Sequence, residues 1–374
     1  MTFFLLTAII ILVCSYGILM AGLYMGWNRI RKKNLPDSQF TPTVSIIIPY
    51  RNERGNLPEL IRNLSQQEYP SELLEYVFVN DHSGDNGQEI LEKQSSTLPG
   101  IIQNLSSPVG ESGKKSALRL GAQSCKGDII LLTDADCQFD PGWISSMVNT
   151  FSDQNIQMVQ GPVLIHPANS LAGHLQQIEF MSLMMSAAGS AGIHHPILAS
   201  GANLAVRRLS YLGGCQQLKE EINTGDDMFL LEFIKRENKK SIVYLAAREA
   251  IVRTAAASTF THLWHQRKRW TSKATNYSDP EIFGVALLVL LMNLTIVSSL
   301  MYSIFFGTLI LLPLFLWAIK TLTELPLIVS GSRFYSNTKN LIWYFVAQLI
   351  YPFYVVFVVI AGLFGSFNWK NREN

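Results

Sequence analysis

The sequence has little charge for its length. Of its 374 residues only 16% are Asp, Glu, Lys or Arg, whereas 48% are hydrophobic. Soluble domains carry about 25% charged residues, and disordered or fibrous chains have low hydrophobicity or a short repeat. A disordered or fibrous chain is therefore excluded, and apolar segments are expected. The net charge is only +2, without the large positive excess that attracts nucleic acid, so we expect no nucleic-acid partner.

Cysteine is scarce as well, and the cysteines stand singly. Two of the four, Cys125 and Cys137, lie in the middle of the chain, and the others, Cys14 and Cys215, lie far from them. No pair has the C-x-x-C spacing of a metal or redox site. Neither a disulfide framework nor a zinc site is indicated.

The glycine-rich motifs of two nucleotide-binding classes are missing. Gly110 and Gly113 precede Lys114, but a P-loop has four residues between its glycines and here there are two. No G-x-G-x-x-G follows the first predicted strand, where the sequence reads Pro49-Tyr-Arg-Asn-Glu53. A P-loop NTPase and a dinucleotide-binding fold are both disfavoured.

The missing charge is confined to the two ends of the chain. Residues 2–28 carry no charged side chain, and a helix needs about 20 apolar residues to cross a bilayer. Basic residues follow this run instead of preceding it, which favours an uncleaved anchor whose C-terminal end lies in the cytoplasm. These residues are Arg29, Arg31, Lys32 and Lys33.

Two further uncharged stretches predict spans near the C-terminus. Residues 282–319 are long enough for about two crossings of a bilayer core of roughly 30 Å, with a turn expected at the polar residues 298–303. Residues 341–367 predict one more crossing. Four spans would place Lys320, Arg333 and Lys339 in the cytoplasm. They would also place Lys370 and Arg372 outside, against the positive-inside rule, so the end of the topology stays open.

The central region has ordinary composition and alternating strands and helices. Apolar runs at residues 44–48, 76–79 and 129–133 each precede a loop and then a helical pattern. This alternation predicts an α/β fold with a mostly parallel sheet. We expect an N-terminal transmembrane helix at residues 1–28, a catalytic domain at 29–280 and a C-terminal transmembrane region of about three helices at 281–374.

Acidic residues follow two of the predicted strands directly. Asp81 follows one strand, and Asp134 and Asp136 follow another. Turns favour Asp in any case, so Asp81 alone is weak evidence. The Asp-Ala-Asp pair is stronger, because alternation puts both carboxylates on one side of an extended chain, where they repel unless a cation joins them. Carboxylate oxygens select Mg2+ or Mn2+, which usually hold substrate phosphates.

Six motifs occur in the order found in one enzyme family. The sequence resembles membrane-bound family 2 glycosyltransferases, the branch that includes cellulose, hyaluronan and poly-N-acetylglucosamine synthases and ceramide glucosyltransferase. The most specific motif is Gln-x-x-Arg-Trp, because it follows two aspartate motifs and precedes an apolar segment. The motifs are Val44-Ser-Ile-Ile-Ile-Pro-Tyr-Arg-Asn-Glu53, Val79-Asn-Asp81-His-Ser-Gly-Asp85, Gly113-Lys-Lys-Ser-Ala-Leu118, Asp134-Ala-Asp136, Gly225-Asp-Asp227 and Gln266-Arg-Lys-Arg269-Trp270.

The resemblance implies a GT-A fold, a nucleotide-sugar donor of the UDP class and a divalent cation, Mg2+ or Mn2+. Asp81 matches the acidic residue on the uracil and ribose side of the donor. Lys114 or Lys115 matches the basic position near the donor. Asp134 and Asp136 match the Asp-x-Asp pair at which the metal and the diphosphate-sugar meet. Four residues of the first motif are also expected on the donor side: Pro49, Tyr50, Asn52 and Glu53.

The last motif is expected next to the diphosphate and the acceptor. Gln266 and Arg269 match residues that close over the diphosphate, and Trp270 matches the contact to the acceptor sugar. Trp270 could instead be an interfacial aromatic anchor. We interpret Arg267 and Lys268 as a juxtamembrane basic cluster that meets anionic headgroups.

The third acidic motif departs from the family's usual Thr-Glu-Asp. Asp227 matches the catalytic base and Asp226 the preceding glutamate, but a shift of one residue would exchange them. Direct inversion at a sugar carbon needs a carboxylate that takes the proton of the acceptor hydroxyl, and Asp227 has the right chemistry. Asn203 lies in a segment that resembles the family's acceptor side.

These features predict an inverting membrane transferase with a lipid-linked or saccharide acceptor. Four spans are few for lining a polymer conduit, so a single addition is favoured over a processive polysaccharide synthase. A non-catalytic membrane scaffold or transporter component is the third hypothesis, and the absence of charge from the predicted spans argues against transport. We expect a multi-pass protein of a bacterial inner membrane, in contact with membrane lipids, whose catalytic domain is cytoplasmic. A homo-oligomer or a membrane partner stays open.

Overall fold

The structure is a computed structural model in which two compact units are described separately. The sheet unit comprises Asn28–His166 and His194–Ala255, and the apolar unit comprises Met1–Trp27, Pro167–Ile193 and Ala256–Asn374. Segments 167–193 and 256–280, which belong to the expected catalytic domain 29–280, group with the apolar helices. The described residues are 2–32, 40–108, 110, 113–166, 170–217, 226–272, 277–364, 368–369 and 372–373.

The helices and strands are numbered in chain order. The helices are α1 (Thr2–Ile30), α2 (Leu57–Ser65), α3 (Gly87–Gln94), α4 (Lys114–Ser124), α5 (Trp143–Asn149), α6 (Leu171–Gly192), α7 (Arg208–Gln217), α8 (Asp226–Asn238), α9 (Phe260–Ser272), α10 (Pro280–Phe306), α11 (Leu311–Phe334) and α12 (Ile342–Phe364). The strands are β1 (Val44–Tyr50), β2 (Leu74–Asn80), β3 (Ile101–Ser106), β4 (Ile129–Leu132), β5 (Gln138–Phe139), β6 (Met158–Gln160), β7 (Val163–His166), β8 (Leu204–Arg207), β9 (Ile242–Tyr244), β10 (Val252–Ala255), β11 (Asn368–Trp369) and β12 (Arg372–Glu373).

The sheet unit is organised by a seven-stranded sheet in the order β3-β2-β1-β4-β8-β6-β9. All neighbouring strands are parallel except β8, which runs antiparallel to β4 and β6. Every residue of β1 and β2 is buried, as is typical of a parallel sheet covered on both faces. The predicted α/β fold with a mostly parallel sheet is confirmed. The carboxyl ends of β1, β2, β4 and β6 therefore lie at one edge.

A second sheet has three strands, which pair in the order β5-β10-β7. Strand β10 is antiparallel to β5 and parallel to β7. Because β5 comes only two residues after Asp136, this small sheet brings β10 to the end of the Asp-Ala-Asp segment.

Four helical segments of the described chain are long and apolar enough to cross a bilayer. They are Phe3–Ile30, Pro280–Phe306, Leu311–Phe334 and Thr338–Gly362. The last three correspond to the predicted C-terminal helices.

The turn after the first of these C-terminal helices is not where the sequence predicted it. Helix α10 continues through residues 298–303, because the hydroxyl groups there donate to carbonyls of their own helix: Ser298 to Thr295, Ser299 to Ile296 and Ser303 to Ser299. The helix ends at Gly307, which has a φ of 64°. Glycine adopts this left-handed conformation without the steric penalty of a side chain.

Lys320, which the four-span prediction places in the cytoplasm, lies within a candidate span. Lys320 is on α11 and fully buried, with its Nζ 2.8 Å from Glu324 Oε1 and 2.9 Å from Gln348 Oε1. Glu324 accepts further hydrogen bonds from Gln348 and from Tyr16 of α1. A candidate span therefore does contain charge, contrary to expectation. These charged groups are bonded to each other, as intramembrane ionisable residues usually are.

Candidate active site

Two loops that follow β1 and β2 are tied together by hydrogen bonds. The Asn52 backbone N–H donates to Ser83 Oγ at 3.1 Å, and the Gly84 N–H donates to the Asn52 side-chain oxygen at 2.8 Å. The Arg54 N–H donates to Asp85 Oδ2 at 2.8 Å. Asn52 has a φ of 53°, a left-handed conformation that Asn tolerates better than most residues. These bonds fix the position of Asn52, a predicted donor-side residue, where the loops after β1 and β2 meet.

Pro49 and Tyr50 end β1 inside the protein. Both side chains are buried. Burial, followed by the nearby carboxylates of Glu92 and Asp85, raises the pKa of Tyr50 to about 12, so its phenol is neutral at physiological pH. The Tyr50 carbonyl accepts a hydrogen bond from the Asp81 N–H at 2.9 Å. These two predicted donor-side residues therefore shape the edge of the sheet without presenting side chains to a ligand.

Asp81 links the end of β2 to the start of α4. Its side chain is 2% exposed, and Oδ1 accepts a hydrogen bond from the Gly113 N–H at 3.0 Å. Arg51 Nη1 donates to the Asp81 carbonyl at 3.1 Å and lies 3.8 Å from Oδ2. Asp81 thus fixes Gly113, the residue before Lys114, and a nucleoside contact would add to this structural role.

Asp134 and Asp136 follow β4 at the edge where β1 and β2 also end. Lys114 Nζ, from the first residue of α4, contacts Asp134 Oδ1. Thr254 Oγ1 of β10 donates to Asp136 Oδ2 at 3.2 Å. Burial, followed by the negative charges of Asp134 and Glu53, raises the pKa of Asp136 to about 6. Negative charge is therefore concentrated here, which favours a bound cation.

The two aspartates fit a divalent cation of the hard class. Mg2+ and Mn2+ prefer oxygen ligands and are usually bound by one or two carboxylates together with substrate phosphates and water. Within the described ranges, no three His, Cys, Asp or Glu side chains are grouped to hold a metal ion. Asp134 and Asp136 would therefore hold such an ion jointly with oxygen atoms of a substrate.

Asp227 borders the same space as Lys114. The Gly201 N–H donates to Asp227 Oδ2 at 3.1 Å, and the Met228 N–H donates to Oδ1 at 2.9 Å. A Cβ atom on Gly201 would stand 3.7 Å from Asp227 Oδ2 and 3.7 Å from Lys114 Nζ. The structure thus brings the predicted base close to the lysine that contacts the Asp-x-Asp pair.

The sequence left two choices between adjacent residues: Lys114 or Lys115 near the donor, and Asp227 or Asp226 as the base. Lys114 makes the contact to Asp134, whereas Lys115 points in another direction, since successive helix residues are about 100° apart. Asp227 borders the space next to Lys114. The side chain of Asp226, and all of residues 218–225, lie outside the described part of the chain. The geometry favours Lys114 over Lys115 and places Asp227 near Lys114, but it does not compare Asp227 with Asp226.

Asn203 is a structural residue. It is 1% exposed, its Oδ1 accepts a hydrogen bond from Trp143 Nε1 at 2.9 Å, and its Nδ2 donates to the carbonyls of Pro162 and Ala250 at 2.9 and 2.8 Å. The predicted contact between Asn203 and an acceptor is therefore not supported, because the amide is buried and already bonded within the sheet unit.

The Gln-x-x-Arg-Trp motif lies on α9 of the apolar unit, where Gln266, Arg269 and Trp270 are half-buried. Arg267 between them is 3% exposed, with Nη2 2.7 Å from Glu179 Oε2 of α6. The expectation that Arg267 meets lipid headgroups is wrong, because Arg267 is buried and the Glu179 carboxylate neutralises its charge.

Sequence reasoning missed two side chains. Glu179 did give a signal, since it is the sole acidic residue of the 22-residue helix α6. An acidic residue in a long apolar helix usually has a buried partner. The sequence gave no signal for Thr254, because threonine is an ordinary strand residue. Its contact with Asp136 becomes evident only from the strand pairing of the small sheet.

Two family profiles match the sequence. Residues 45–210 match Glycosyl transferase family 2, and residues 129–363 match Glycosyl transferase family group 2. The second match covers more than half of the chain and includes both the aspartate pair and the α9 motif.

Relatives with curated names match parts of the sequence. A beta-monoglucosyldiacylglycerol synthase of Trichormus variabilis is 29% identical over 261 residues, 68% of this chain and 53% of the relative. An undecaprenyl-phosphate 4-deoxy-4-formamido-L-arabinose transferase of Pseudomonas savastanoi is 36% identical over 110 residues, 28% of this chain and 31% of the relative. The chain thus spans about half the length of the first relative.

Among solved structures, a mannosyltransferase of Pyrobaculum calidifontis in complex with GDP-Man and Mn2+ aligns with a TM-score of 0.60 at 18% identity. The alignment covers 91% of this chain and 97% of that one. At this level of identity the likeness shows a shared fold.

Proposed function

We propose that this chain, which belongs to glycosyltransferase family 2, is an inverting membrane enzyme that moves a sugar from a nucleotide-diphosphate donor to a lipid-linked acceptor. The observation that carries the proposal is the gathering of Asp134, Asp136, Lys114 and Asp227 beside the carboxyl edge of the sheet. In open α/β sheets, ligands bind in the crevice outside this edge. A saccharide acceptor is the alternative.

The donor diphosphate would lie between Lys114 and the aspartate pair. Lys114 supplies a positive charge beside Asp134, and Asp81 and Asn52 hold the loops through which a nucleoside would be bound. A divalent ion, when bound, would offset the negative charge that gathers on the departing diphosphate. A UDP-sugar is the expected donor. The structural neighbour's bound GDP-Man and Mn2+ support a nucleotide sugar with a divalent ion.

The transfer would proceed by one direct displacement. The acceptor hydroxyl oxygen forms a bond to the anomeric carbon while the bond from that carbon to the diphosphate oxygen breaks, and Asp227 takes the hydroxyl proton. Both oxygens of Asp227 already accept backbone hydrogen bonds, which fix the direction of the carboxylate. Gln266 and Arg269 would bind the diphosphate, and Trp270 would contact the acceptor.

The candidate spans of the apolar unit are the basis for the proposed lipid-linked acceptor and membrane location. Four candidate spans, together with relatives whose names refer to diacylglycerol and undecaprenyl phosphate, support a lipid-linked acceptor in a multi-pass protein. We place the catalytic domain in the cytoplasm. Arg29 lies in the last turn of α1. Burial, followed by the charges of Arg29, Lys240 and other neighbouring cations, lowers the pKa of His194, so positive charge is concentrated near this end of α1.

The test is sugar transfer by the purified full-length protein. We would incubate it with radiolabelled UDP- and GDP-sugars, and with diacylglycerol or polyprenyl phosphate in lipid vesicles. We expect one donor and one lipid to give a product of a single added sugar. A ladder of longer products would indicate the processive alternative. Absence of transfer and of donor hydrolysis with every pair, by protein that binds a nucleotide sugar, would favour the scaffold hypothesis.

A further inference from the structure

Arg267 and Glu179 form a buried ion pair between α9 and α6. Arg267 Nε donates to Glu179 Oε1 and Oε2 at 3.0 and 3.1 Å, and Nη2 donates to Oε2 at 2.7 Å. The side chains are 3% and 15% exposed. Tyr354 Oη of α12 donates to Glu179 Oε1 at 2.9 Å. The pair therefore joins three helices that are distant in sequence.

Such a pair is a costly way to stabilise a fold. Removing two charges from water costs several kcal/mol per ion, and the attraction between them repays this only with very good geometry. Burial alone would lower the pKa of Arg267, but the Glu179 carboxylate raises it above the usual value, so the arginine stays charged. An apolar pair of similar volume would hold these helices together at least as well, so orientation is the better reason for this ion pair.

What Arg267 orients is the rest of its motif. Its Nη1 donates to Gln266 Oε1 at 2.5 Å, and its guanidinium carbon lies 4.3 Å from the ring centroid of Trp270. The Trp270 ring also lies 6.1 Å from that of Phe180 on α6. Arg267 thus contacts two residues that the proposed function assigns to the diphosphate and the acceptor.

The contacts continue into the candidate spans. Tyr354 lies 6.1 Å from Tyr351, measured between ring centroids, and Lys320 Nζ lies 4.9 Å from the Tyr351 ring. Lys320 is paired with Glu324, which accepts a hydrogen bond from Tyr16 of α1. A series of hydrogen bonds, ion pairs and ring contacts therefore connects α1, α11 and α12 with the ion pair of Arg267 and Glu179.

We propose that Arg267 is a positioning residue, held by Glu179 and Tyr354, that fixes the orientation of Gln266 and Trp270 for sugar transfer. The inference rests on the proposed function, because it is there that these two residues contact substrates. It assigns a role to the second position of the Gln-x-x-Arg-Trp motif and to a glutamate well upstream of it. A displacement of about 1 Å in a positioned group can cost roughly 100-fold in rate.

The decisive comparison is between single and double variants. Arg267→Gln and Glu179→Gln each leave one buried charge without its partner, so both should lower the melting temperature. The double variant Arg267→Gln/Glu179→Gln removes both charges and should melt near the wild type. We expect its kcat to stay reduced by roughly 10- to 100-fold, with a smaller change in KM for the donor. A purely structural pair would instead recover turnover together with the melting temperature.

Arg267→Lys should have an intermediate effect on stability and turnover. Lysine keeps the charge but lacks the planar fork that reaches Glu179 and Gln266 and stacks on Trp270. We expect it to keep much of the stability and only part of the turnover. The matched control is Arg62→Gln, which breaks an exposed ion pair with Glu59 on α2 and should change neither quantity.

A spectroscopic measurement separates this inference from the proposed function. The protein has seven tryptophans, so we would incorporate 5-fluorotryptophan and assign the Trp270 19F resonance by its loss in Trp270→Phe. The double variant should shift this resonance, and Arg62→Gln should not. A folded double variant with wild-type turnover and an unshifted resonance would overturn the proposal. Wild-type protein that transfers no sugar would contradict the proposed function, while the resonance still decides the positioning role.

Discussion

At the scale of single residues, the aspartate pair has more negative than positive charge around it among the residues that the structure describes. Lys114 contacts Asp134 and also acts on Asp136, which has Thr254 as a hydroxyl donor and the carboxylates of Asp134 and Glu53 as neighbours. Two adjacent carboxylates that share one site either take up a proton or bind a cation. The observed arrangement therefore supports metal-dependent donor binding.

The first prediction is that activity depends on a divalent cation held through this pair. Chelation should abolish transfer, and Mn2+ or Mg2+ should restore it. Asp136→Asn should lower kcat/KM on the order of 100-fold or more, because part of the charge stabilisation of the leaving group is lost. The measurement is turnover against metal concentration.

A matched control for this loss of charge is Asp153→Asn. Asp153 caps its own turn by accepting a hydrogen bond from the Asn155 N–H at 2.9 Å. It should leave the metal dependence unchanged. Full turnover of Asp136→Asn in the presence of chelator would contradict the proposed metal site.

The second prediction is that Asp227, and not Asp226, is the base. Asp227→Asn keeps the volume and removes the proton acceptor, so donor affinity should change little while the rate falls by roughly 10² to 10⁴. Asp226→Asn should do much less, because neighbouring helix residues point about 100° apart. Donor binding by calorimetry and single-turnover rates for both variants test this. An inactive Asp226→Asn beside an active Asp227→Asn would show that the match to the family is shifted by one residue.

At the scale of elements, local pattern predicted the strands better than the helix ends. The runs of Val, Ile and Leu before Asp81 and Asp134 are buried strands because a parallel sheet covered on both faces tolerates continuous apolar residues. The serines in α10 misled the prediction of a turn, because a hydroxyl can bond to its own helix's carbonyls and does not end the helix.

Charge in the spans misled the prediction for a different reason. Lys320 was placed in the cytoplasm because the uncharged stretch ends at residue 319. Its partners are one turn away on α11 and on α12, and no sequence window shows that Glu324 and Gln348 converge on it. The same limit applies to Glu179 and Arg267, whose pairing depends on how α6 and α9 pack.

The third prediction concerns the contact between α1 and α6. A Cβ atom on Gly189 would stand 2.3 Å from the Leu23 carbonyl oxygen, and one on Gly26 would stand 1.9 Å from the Gly189 oxygen. The two backbones touch, so Gly189→Ala must push the helices apart and should destabilise the protein by roughly 1–3 kcal/mol. Thermal unfolding in detergent measures this.

Gly17→Ala on α1, the other helix of this contact, is the control. Nothing lies within 4 Å of a Cβ atom placed on Gly17. Alanine there should be neutral or should stabilise the helix by roughly 0.5–1 kcal/mol. Equal melting temperatures for the two variants would contradict the close contact of α1 with α6.

At the scale of the whole molecule, the six motifs divide between the two units. The aspartate motifs and Lys114 belong to the sheet unit, whereas α9 with Gln266 and Trp270 belongs to the apolar unit. The order of motifs in the sequence predicted a family 2 glycosyltransferase, and this coarser assignment is confirmed. It did not predict this division, because motif spacing carries no information about which helices pack together.

The fourth prediction is the topology, which follows from four spans and a cytoplasmic sheet unit. The chain then leaves the cytoplasm along α10, turns outside near Gly307 and returns along α11. Thr308 and Thr338 are both exposed threonines, one in each turn of the C-terminal region. In a variant without the native cysteines, Thr308→Cys should react with a membrane-impermeant maleimide on intact cells, and Thr338→Cys should react only after permeabilisation.

Thr97→Cys supplies the reference for the sheet unit, since Thr97 is exposed there. It should behave like Thr338→Cys, because α10 and α11 together cross the membrane twice and return the chain to its starting side. Labelling of both from outside, with Thr308→Cys protected, would show that the orientation is inverted and that nucleotide sugars must reach the site from the other side. Labelling of Thr338→Cys alone from outside would mean that one of α10 and α11 does not cross. In that case the paired charges of Lys320 and Glu324 would no longer need to lie within a bilayer.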